Sequence, residues 1–378
     1  MSKTIFINDT AATEGGVLTI LKQFLESINL YSKKDDTYYI FCSLEELKQY
    51  ENEQIKIITD IRGKKWLDRI KWDLWGLKNW SKKHNIKADL VISLQNTGCC
   101  YFQQIPQLIY LHQPLSFYQE IKWNVFKKEE RIYWFYQKIY RKIILYSLPK
   151  NYLLVVQTKA MKERVQKRFQ LEDNKIIVIR PSFENVKVEE ISLINFNDHK
   201  FHVFYPATTY IYKNHEIIIK ALKHIKDKEP NVFHNLVIHF TFDNRGRRNL
   251  ELIKLINKLE VNSTIKLEGK LPYEKVLSFY KSCDLVVFPS YIETFGLPLI
   301  ETALFGLPLL VSDADFSREV ISNYEGAKFL DYKDYKLWGD NIIKYYKKHI
   351  KFHPYKTNYQ NTWQHFFSLI ETILYNKI

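Results

Sequence analysis

Short apolar runs with the composition of β-strands recur along the chain and alternate with segments of helical length. The runs are rich in β-branched and aromatic residues, and their lengths are those of strands. The first series comprises residues 4–9, 37–42, 55–59, 88–94, 106–112, 152–158 and 175–180, and the second comprises residues 201–207, 235–242, 263–269, 284–290 and 307–313. Strands that alternate with helices predict βαβ units and mainly parallel sheets.

A polar stretch at residues 181–200 separates the two series and indicates two domains. Each series predicts a doubly wound, Rossmann-like α/β domain, and the length of 378 residues suits two domains of roughly 150 residues or more. We expect a first domain at 1–183, a linker at 184–200 and a second domain at 201–355, with a cleft between the domains. Ligands of such sheets bind beyond the carboxyl ends of the strands.

The last segment, residues 356–378, predicts an amphipathic helix that returns to the first domain. Its large apolar side chains recur at helical spacing, which indicates one buried face. These residues are Trp363, Phe366, Phe367, Ile370 and Leu374.

Charge and aromatic content set this chain apart from ordinary globular proteins. There are 56 Lys and Arg against 42 Asp and Glu, a formal charge of +14, and 15% of the residues are aromatic. This combination suits either nucleic acid or an anionic membrane surface. The cysteines lack disulfide or C-x-x-C spacing, which favours a reducing compartment. The opening residues lack the profile of a signal peptide, and no apolar run reaches bilayer-spanning length, so we expect a cytoplasmic protein.

Residues 284–320 carry the pattern most informative about chemistry. A strand-like run ends at Ser290, and Pro298 suits the first turn of a helix that stops at Gly306. The N-terminus of such a helix offers N–H groups and partial positive charge to an anion. Gly296 lets a ligand approach the backbone closely.

Two carboxylates, Glu293 and Glu301, flank this N-terminus. We expect Glu293 just outside the helix and Glu301 within its first turn, where both can accept hydrogen bonds from sugar hydroxyls. Taken singly, Glu301 is also explained as a complement to the helix dipole and Glu293 as a solvated loop residue.

The surrounding sequence resembles a known donor-site motif. E-T-F-G-L-P-L-I-E, after F-P-S and before A-L-F-G-L-P-L-L-V-S, is similar to the E-x7-E motif of retaining glycosyltransferases of the GT-B architecture, family 4 type. The run L-E-G-K-L-P-Y-E-K-V-L-S-F-Y-K-S-C-D at 267–284 matches the segment that precedes this motif in the family.

The resemblance implies how a nucleotide-sugar donor, UDP- or GDP-linked, would bind. Glu301 would bind the ribose, and Glu293 would bind hydroxyls of the donor sugar. The family's other donor contacts correspond here to the backbone of Phe295, Gly296 and Leu297, which would meet the sugar and diphosphate, and to the turn at Lys270 and Leu271, which would flank the base.

Lys213 lies in a loop between a strand and a helix, where the family places a lysine against the donor diphosphate. A cation there stabilises the charge that develops on the departing nucleoside diphosphate. The family commonly has an arginine six residues earlier, but this chain has Ala207. Either another cation substitutes, with Arg245, Arg247 or Arg248 as candidates, or catalysis is slow. The alternative reading of Lys213 is an exposed surface lysine.

Two features of the first domain correspond more weakly to the family. Gly15 and Gly16 follow the first strand and open a helix, and the resemblance implies a glycine-rich loop that admits acceptor or donor phosphate; a plain tight turn explains them equally. They do not form the G-x-G-x-x-G fingerprint of a dehydrogenase. His112 ends a strand where the family has a histidine that contacts the donor sugar. A pKa near neutrality would allow it a proton or hydrogen-bonding role; a purely structural histidine is the alternative.

Asp313 and Asp315 form a D-x-D sequence of the kind that binds a divalent cation in transferases of another architecture. Here they follow a strand end, and we interpret them as a loop. No cluster has convincing metal-ligand spacing, so we expect neither a metal nor a cofactor.

Basic and aromatic residues concentrate in two stretches, 64–83 and 121–148. We expect exposed Trp beside Lys, an arrangement typical of a helix at an anionic membrane surface; ordinary helices packed on the sheet with a solvated basic face are the alternative. No DNA- or RNA-binding motif is present, so we do not expect nucleic acid as a partner. The residues assigned to this membrane or acceptor patch are Lys64, Lys65, Trp72, Trp75, Lys127, Arg131 and Lys138.

Together these observations predict a retaining, metal-independent glycosyltransferase that transfers a sugar to a lipid-linked or glycan acceptor. The expected setting is assembly of a surface polysaccharide, such as O-antigen or capsule, or of a glycolipid, at the inner face of the cell membrane. A sugar-nucleotide epimerase of the same fold and a non-enzymatic polyanion-binding protein are the alternatives. An epimerase would turn over the donor without any acceptor.

Overall fold

The chain divides into two units in a computed structural model that describes residues 2–13, 15–59, 68, 71–181, 188–355 and 362–375. The first unit comprises Met1–Ser182 and Tyr359–Ile378, and the second comprises Phe183–Asn358. Each unit contains its own parallel sheet.

The sheet of the first unit has seven strands among the described residues, in the order β3-β2-β1-β4-β5-β6-β7, and every pairing is parallel. The strands are β1 (Thr4–Asp9), β2 (Thr37–Cys42), β3 (Ile55–Ile58), β4 (Leu90–Ser93), β5 (Gln107–Tyr110), β6 (Tyr152–Val156) and β7 (Ile176–Val178). The α-helices of this unit that precede residue 181 and whose bounds the structure describes are α1 (Gly15–Tyr31), α2 (Leu77–His84), α3 (Arg131–Phe135), α4 (Arg141–Ser147) and α5 (Lys159–Phe169). One π-helical turn, Trp72–Gly76, leads into α2, and another, Tyr136–Tyr140, joins α3 to α4.

The sheet of the second unit has six strands in the order β10-β9-β8-β11-β12-β13, again all parallel within the described ranges. The strands are β8 (Phe201–Tyr205), β9 (Leu236–Phe240), β10 (Ile265–Leu267), β11 (Leu285–Phe288), β12 (Leu309–Ser312) and β13 (Ala327–Leu330). The α-helices are α6 (His215–Lys228), α7 (Pro230–His234), α8 (Arg247–Lys258), α9 (Tyr273–Ser282), α10 (Leu297–Leu304), α11 (Asp315–Ile321) and α12 (Tyr335–Lys348).

The predicted fold class, two doubly wound α/β domains, is confirmed. Each apolar run predicted as a strand contains one, because buried parallel strands need continuous apolar sequence. β13 was not predicted. Residues 188–200, which the sequence assigns to a linker, belong to the second unit. There the Lys281 ammonium donates to the carbonyls of Val188 and Ile191, at 3.0 and 2.7 Å.

The last helix, α13 (Thr362–Tyr375), belongs to the first unit and packs against α1. The ring of Phe367 stacks on Phe24 with 5.4 Å between centroids, and Trp363 meets Phe24 edge-on at 5.6 Å. Trp363, Phe366, Phe367 and Ile370 are all buried, so the predicted apolar face of this helix is the face that packs. No helix in the described ranges is both long and apolar enough to cross a lipid bilayer.

Strand order reverses at one place in each sheet. In the first unit the chain leaves β1 toward β2 on one side, and β4 pairs with β1 on the other. In the second unit β8 and β11 hold the same relation. At such a point the loops beyond the carboxyl ends diverge and leave a crevice, which is where ligands of these sheets bind.

Candidate functional site

The loops that follow β8 and β11 bring Lys213 and Glu293 together at the crevice of the second unit. The Lys213 ammonium donates to Glu293 Oε1, and both side chains are largely buried. Lys213 ends a 3₁₀ turn, Ile211–Lys213, whose last carbonyl accepts a hydrogen bond from the Tyr205 hydroxyl. The alternative reading of Lys213, an exposed surface lysine, is therefore wrong. The turn and β8 thus fix where the ammonium group lies.

Helix α10 begins as the sequence predicts. Gly296 has a φ of +84°, Leu297 is the first helical residue, and Pro298 lies in the first turn. A Cβ at Gly296 would approach the Leu299 side chain to 3.3 Å, so both backbone strain and space favour glycine there. Phe295 is buried in the core, and the role assigned to its backbone stays a prediction.

Glu301 lies in the second turn of α10, so its predicted place in the first turn is wrong: the helix already starts at Leu297, one residue before Pro298. The carboxylate is 5% exposed, and it accepts hydrogen bonds from the hydroxyls of Tyr280 at 2.9 Å and Tyr273 at 3.1 Å. Burial raises the pKa of Glu301, and the two tyrosine hydroxyls oppose that rise. The Glu301 carboxylate is too far from the N-terminus of α10 for interaction with the helix dipole to be its main role, because that interaction fades within one turn.

The turn predicted to flank the base, at Lys270 and Leu271, connects β10 to α9. Lys270 is exposed and Leu271 is half-buried. Glu268 precedes this turn and accepts a hydrogen bond from His239 Nδ1 at 2.7 Å, which ties the end of β10 to β9. The contact with His239 holds the pKa of Glu268 below its usual range.

The position of the missing arginine is occupied by the buried Ala207, whose backbone N–H donates to the Thr241 hydroxyl at 3.0 Å. The three candidate cations differ in placement. Arg245 is 86% exposed and pairs with Asp243, whereas the side chain of Arg248 is 23% exposed and donates to Glu216 at 2.7 Å. Arg247 donates to Glu251 at 2.9 Å. Of the three, Arg248 has the least exposed side chain.

Three predicted site residues lie in the first unit. Gly15 and Gly16 open α1 directly after β1, and both are exposed. A Cβ at Gly15 would meet no atom within 4 Å, and its φ of +64° is what favours glycine there. His112 lies just beyond β5. The assigned roles of these residues stay predictions.

Asn96 fixes the orientation of His112. The Asn96 amide oxygen accepts the backbone N–H groups of His112 and Gln113, each at 2.8 Å, so its NH₂ group points at His112 Nε2, 3.1 Å away. Since an amide NH₂ only donates, Nε2 accepts and the ring carries its proton on Nδ1. Burial lowers the pKa of His112 to about 4. The expected pKa near neutrality is therefore wrong, and at pH 7 the ring is a neutral hydrogen-bonding group.

Only part of the predicted basic and aromatic patch lies at the protein surface. Trp72 points inward: its indole N–H donates to Asn8 at 3.0 Å and its ring packs on Phe41. The prediction that Trp72 is exposed is wrong because it lies in a π turn, where hydrogen bonds span five residues and a helical period of 3.6 no longer holds. Trp75 is 46% exposed, and its indole N–H donates to the Tyr101 hydroxyl at 2.7 Å.

The charged members of the patch lie at the surface where the structure describes them. Lys127 pairs with Glu130 at 3.1 Å, Arg131 donates to the Val125 carbonyl at 3.0 Å, and Lys138 is exposed. Lys64 and Lys65 lie outside the described residues.

The two aspartates of the D-x-D sequence lie at the end of β12 and the start of α11. Asp313 follows β12 and accepts both guanidinium arms of Arg318, at 2.7 and 2.8 Å, and Asp315 begins α11. The bidentate pair lowers the pKa of Asp313.

Sequence reasoning missed the residues that hold the predicted ones in place. Tyr273 and Tyr280 lie seven residues apart on α9, a spacing that puts both on one face, and this was a usable signal. Asn96 gave no such signal, because its role depends on a left-handed backbone with a φ of +73°.

Solved structures show the class of fold. Sucrose-phosphate synthase of Thermosynechococcus elongatus aligns with a TM-score of 0.68 at 14% identity, over 92% of this chain and 90% of that one. Anabaena HepE, solved with UDP and glucose, aligns with a TM-score of 0.65 at 14% identity, over 99% and 98%. Two Rossmann-like domains of this kind define the GT-B architecture.

A family model matches part of the chain that lies mainly in the second unit. Residues 187–361 match the sequence model of the family described as Glycosyl transferases group 1. This match, over a little less than half of the chain, confirms the resemblance to that family.

A curated relative agrees with this assignment. The O-antigen chain mannosyltransferase RfbU of Salmonella typhimurium is 24% identical over 209 residues, which cover 55% of this chain and 55% of that protein. A D-inositol 3-phosphate glycosyltransferase of Corynebacterium jeikeium is 23% identical over 133 residues, 35% of this chain and 32% of that protein. The matches therefore span about half or less of these relatives.

Proposed function

We propose that the protein transfers a sugar from a nucleotide-sugar donor to an acceptor hydroxyl, with retention of anomeric configuration. The observation that carries this proposal is the buried Lys213–Glu293 pair at the crevice of a group 1 glycosyl transferase domain. A cation and a carboxylate side by side suit a ligand that carries both a diphosphate and hydroxyl groups.

In the proposed reaction the bond between the anomeric carbon and the diphosphate oxygen breaks, and its electron pair stays on the departing nucleoside diphosphate. The acceptor oxygen bonds to the same face of that carbon, and its proton passes to the departing phosphate. Lys213 and the N–H groups at the start of α10 stabilise the charge on the leaving group, without a bound metal. Glu293 accepts hydrogen bonds from the donor sugar once the diphosphate engages Lys213.

Arg248 supplies the second cation in this proposal. Thr209, two residues after Ala207, hydrogen-bonds through its hydroxyl to Asn249, so the start of α8 lies against the loop that leads to Lys213. Arg248 is adjacent to Asn249 in that first turn. This contact supports Arg248 over Arg245, whose side chain extends into solvent.

The donor nucleotide is a uridine or guanosine diphosphate in our proposal, and the HepE complex with UDP supports the former. Replacing Glu301 with Gln should weaken binding of the favoured nucleotide by about 10- to 100-fold, since hydrogen bonds to charged groups contribute about 1.5–3 kcal/mol. Thermal shift against UDP, GDP, ADP and CDP measures this, because ligand at about 100 times its Kd stabilises by roughly 2.7 kcal/mol.

The exposed Glu274, in the first turn of α9, provides the matched control for this experiment, and Glu274→Gln should bind nucleotide as the unmodified protein does. Wild-type affinity in Glu301→Gln, or no nucleotide shift in the unmodified protein, would contradict the assignment of this site. Formation of an epimerised nucleotide sugar from donor alone would replace the transferase with the epimerase.

We further propose that the first unit docks on an anionic membrane and that the acceptor is lipid-linked, in surface polysaccharide or glycolipid assembly at the inner membrane face. Large apolar side chains are exposed beside the basic ones of helices α3 and α4, as membrane-surface helices require. The exposed apolar residues of this part of the chain include Trp75, Phe126, Ile132, Ile139, Leu145 and Tyr146.

Reversing three charges should remove membrane binding. Arg131→Glu, Lys138→Glu and Lys142→Glu together should lower affinity for vesicles rich in phosphatidylserine by at least about 100-fold, since each basic residue near the surface contributes about 1 kcal/mol. Cosedimentation with vesicles measures the loss.

A triple variant of the second unit serves as control: Lys254→Glu, Lys336→Glu and Lys344→Glu makes the same change in net charge at exposed positions and should still bind vesicles. Tight, salt-sensitive binding to duplex DNA with no vesicle binding would reject the membrane proposal in favour of nucleic acid.

A further inference from the structure

A cavity of about 360 Å³ opens in the first unit, among residues given no role so far. Ala11, just beyond β1, and Gln95, just beyond β4, both line it. It therefore lies at the point where strand order reverses in the first sheet, the place where such sheets bind ligands. Its volume is within the range of small-molecule sites.

Both π turns of the described residues contribute walls to this cavity. Asp73 and Leu74 come from the first turn, and Tyr136 and Tyr140 come from the second. π turns are rare and are frequently found at functional sites. That two of them flank one cavity indicates that its shape is maintained for a ligand.

The backbone is closely fitted around the cavity. A Cβ at Gly98 would lie 2.5 Å from the Ser147 carbonyl, and a Cβ at Gly76 would lie 2.3 Å from the Trp72 ring. Both positions admit only glycine without displacement of their neighbours. The loop after β4 and the end of α4 are thus packed closely at Gly98, and the first π turn is packed closely within itself at Gly76.

The lining is mostly apolar, with one polar end. Leu74, Ile143 and the rings of Tyr136 and Tyr140 form the apolar walls. Asp73 supplies the negative charge at the polar end. An apolar wall with a few fixed polar groups binds a ligand that itself has one apolar and one hydroxylated part.

Hydrogen bonds from Asn8, Gln95 and Thr97 help to orient the Asp73 carboxylate. It accepts hydrogen bonds from the amides of Asn8 at 2.8 Å and Gln95 at 2.6 Å, and from the Thr97 hydroxyl at 2.8 Å. An ionised carboxylate only accepts hydrogen bonds, so it favours a ligand hydroxyl over an anion. The headgroup at this end is therefore hydroxylated.

The mouth of the cavity joins the exposed aromatic surface. Tyr146 lines the cavity and is 81% exposed. Cys100 lines it as well, and the adjacent Tyr101 bonds to Trp75, with the Lys78 ammonium 4.5 Å from the Tyr101 ring. The apolar chain of a bound ligand that extends from the cavity toward an anionic bilayer would contact these aromatic rings and the lysine at the rim.

We propose that this cavity binds a glycolipid-type amphiphile, with hydroxyls of its headgroup at Asp73 and its apolar chain along Tyr136, Tyr140 and Ile143 toward the rim. The inference rests on the proposed function only where it takes this amphiphile to be the sugar acceptor. Binding itself needs no nucleotide.

Protection of Cys100 tests the binding. Cys42, Cys99 and Cys283 are buried, so Cys100 is the partly exposed thiol among the cysteines. Octyl β-glucoside below its micellar concentration should slow alkylation of Cys100 in the full chain by N-ethylmaleimide at least fivefold, as located by mass spectrometry. Methyl β-glucoside at the same concentration should not. Equal protection by both sugars would replace the amphiphile with a free sugar, and protection by neither would overturn the proposal.

A variant that fills the cavity provides the second test. Ile143→Trp should abolish the octyl-dependent heat of binding in calorimetry, whereas Ile139→Trp, at an exposed position on the second π turn, should not. Unchanged octyl glucoside binding in Ile143→Trp overturns the proposal. Ile143→Trp should keep its thermal shift with nucleotide, because the donor site lies in the second unit. If the unmodified protein shows no nucleotide binding, the donor site is refuted but the proposal for the cavity is not affected.

Discussion

Replacing Lys213 with Ala should lower kcat by about 10²- to 10³-fold, the loss typical of removing one preorganised group that stabilises developing charge. The donor Kd should change by less than about tenfold, since the α10 N-terminus and Glu301 still bind the nucleotide. The reason lies in the geometry. The Lys213 ammonium is held by its turn and by Glu293, so little reorganisation is needed when the leaving group develops charge. Steady-state kinetics and nucleotide titration measure the two quantities.

Removing one member of a buried ion pair also destabilises the fold. The double-mutant cycle of Lys213→Ala and Glu293→Gln separates that effect, because coupling in stability and coupling in kcat are measured on the same proteins. Lys223→Ala, on α6 and paired with Asp227, is the matched control and should retain wild-type kcat. A kcat for Lys213→Ala above half the wild-type value would remove Lys213 from the reaction.

Replacing Phe367 with Ala should lower the free energy of unfolding of the first unit by about 3–5 kcal/mol, the usual cost of truncating a buried aromatic side chain. The ring is 2% exposed, stacks on Phe24 and lies 6.3 Å from the Tyr38 ring, centroid to centroid. Urea denaturation followed by tryptophan fluorescence measures the loss, because Trp363 lies in the same helix.

His365 is exposed on the same helix and provides the control. His365→Ala should change the unfolding free energy by no more than about 0.5 kcal/mol, as most surface substitutions do. A loss below about 1 kcal/mol for Phe367→Ala would mean that α13 does not contribute its apolar face to the core of the first unit.

The sequence predicted those parts of the fold that depend on local apolar pattern. β1 and β2 begin and end at the residues expected for them, since strands buried on both faces read as unbroken apolar runs. β13, with the sequence A-K-F-L, was missed because Lys328 on this edge strand is exposed and interrupts the run. Edge strands carry such charges, which weaken their signal.

At the candidate site, the sequence predicted the types of residue better than it predicted the side chains that surround them. The motif around Glu293 and Glu301 depends on order along the chain, so it was visible. The Lys213–Glu293 contact joins residues that are 80 positions apart, so local pattern could not predict it. The cavity in the first unit depends on two π turns, and π turns do not follow the helical period of 3.6 residues. Trp72 shows the same limit: its inward position follows from the π turn.

The last helix also determines when the first unit can complete its core during synthesis. Gln23 in α1 and Trp363 in α13 hydrogen-bond across 340 residues of chain. At the usual rate of about 5 to 20 residues per second, a ribosome needs roughly 20 to 70 s to travel from one to the other. During that time the second unit is translated, and the apolar side of α1 around Phe24 is not yet covered by α13. During that interval the nascent chain exposes an apolar surface that α13 covers once it is made.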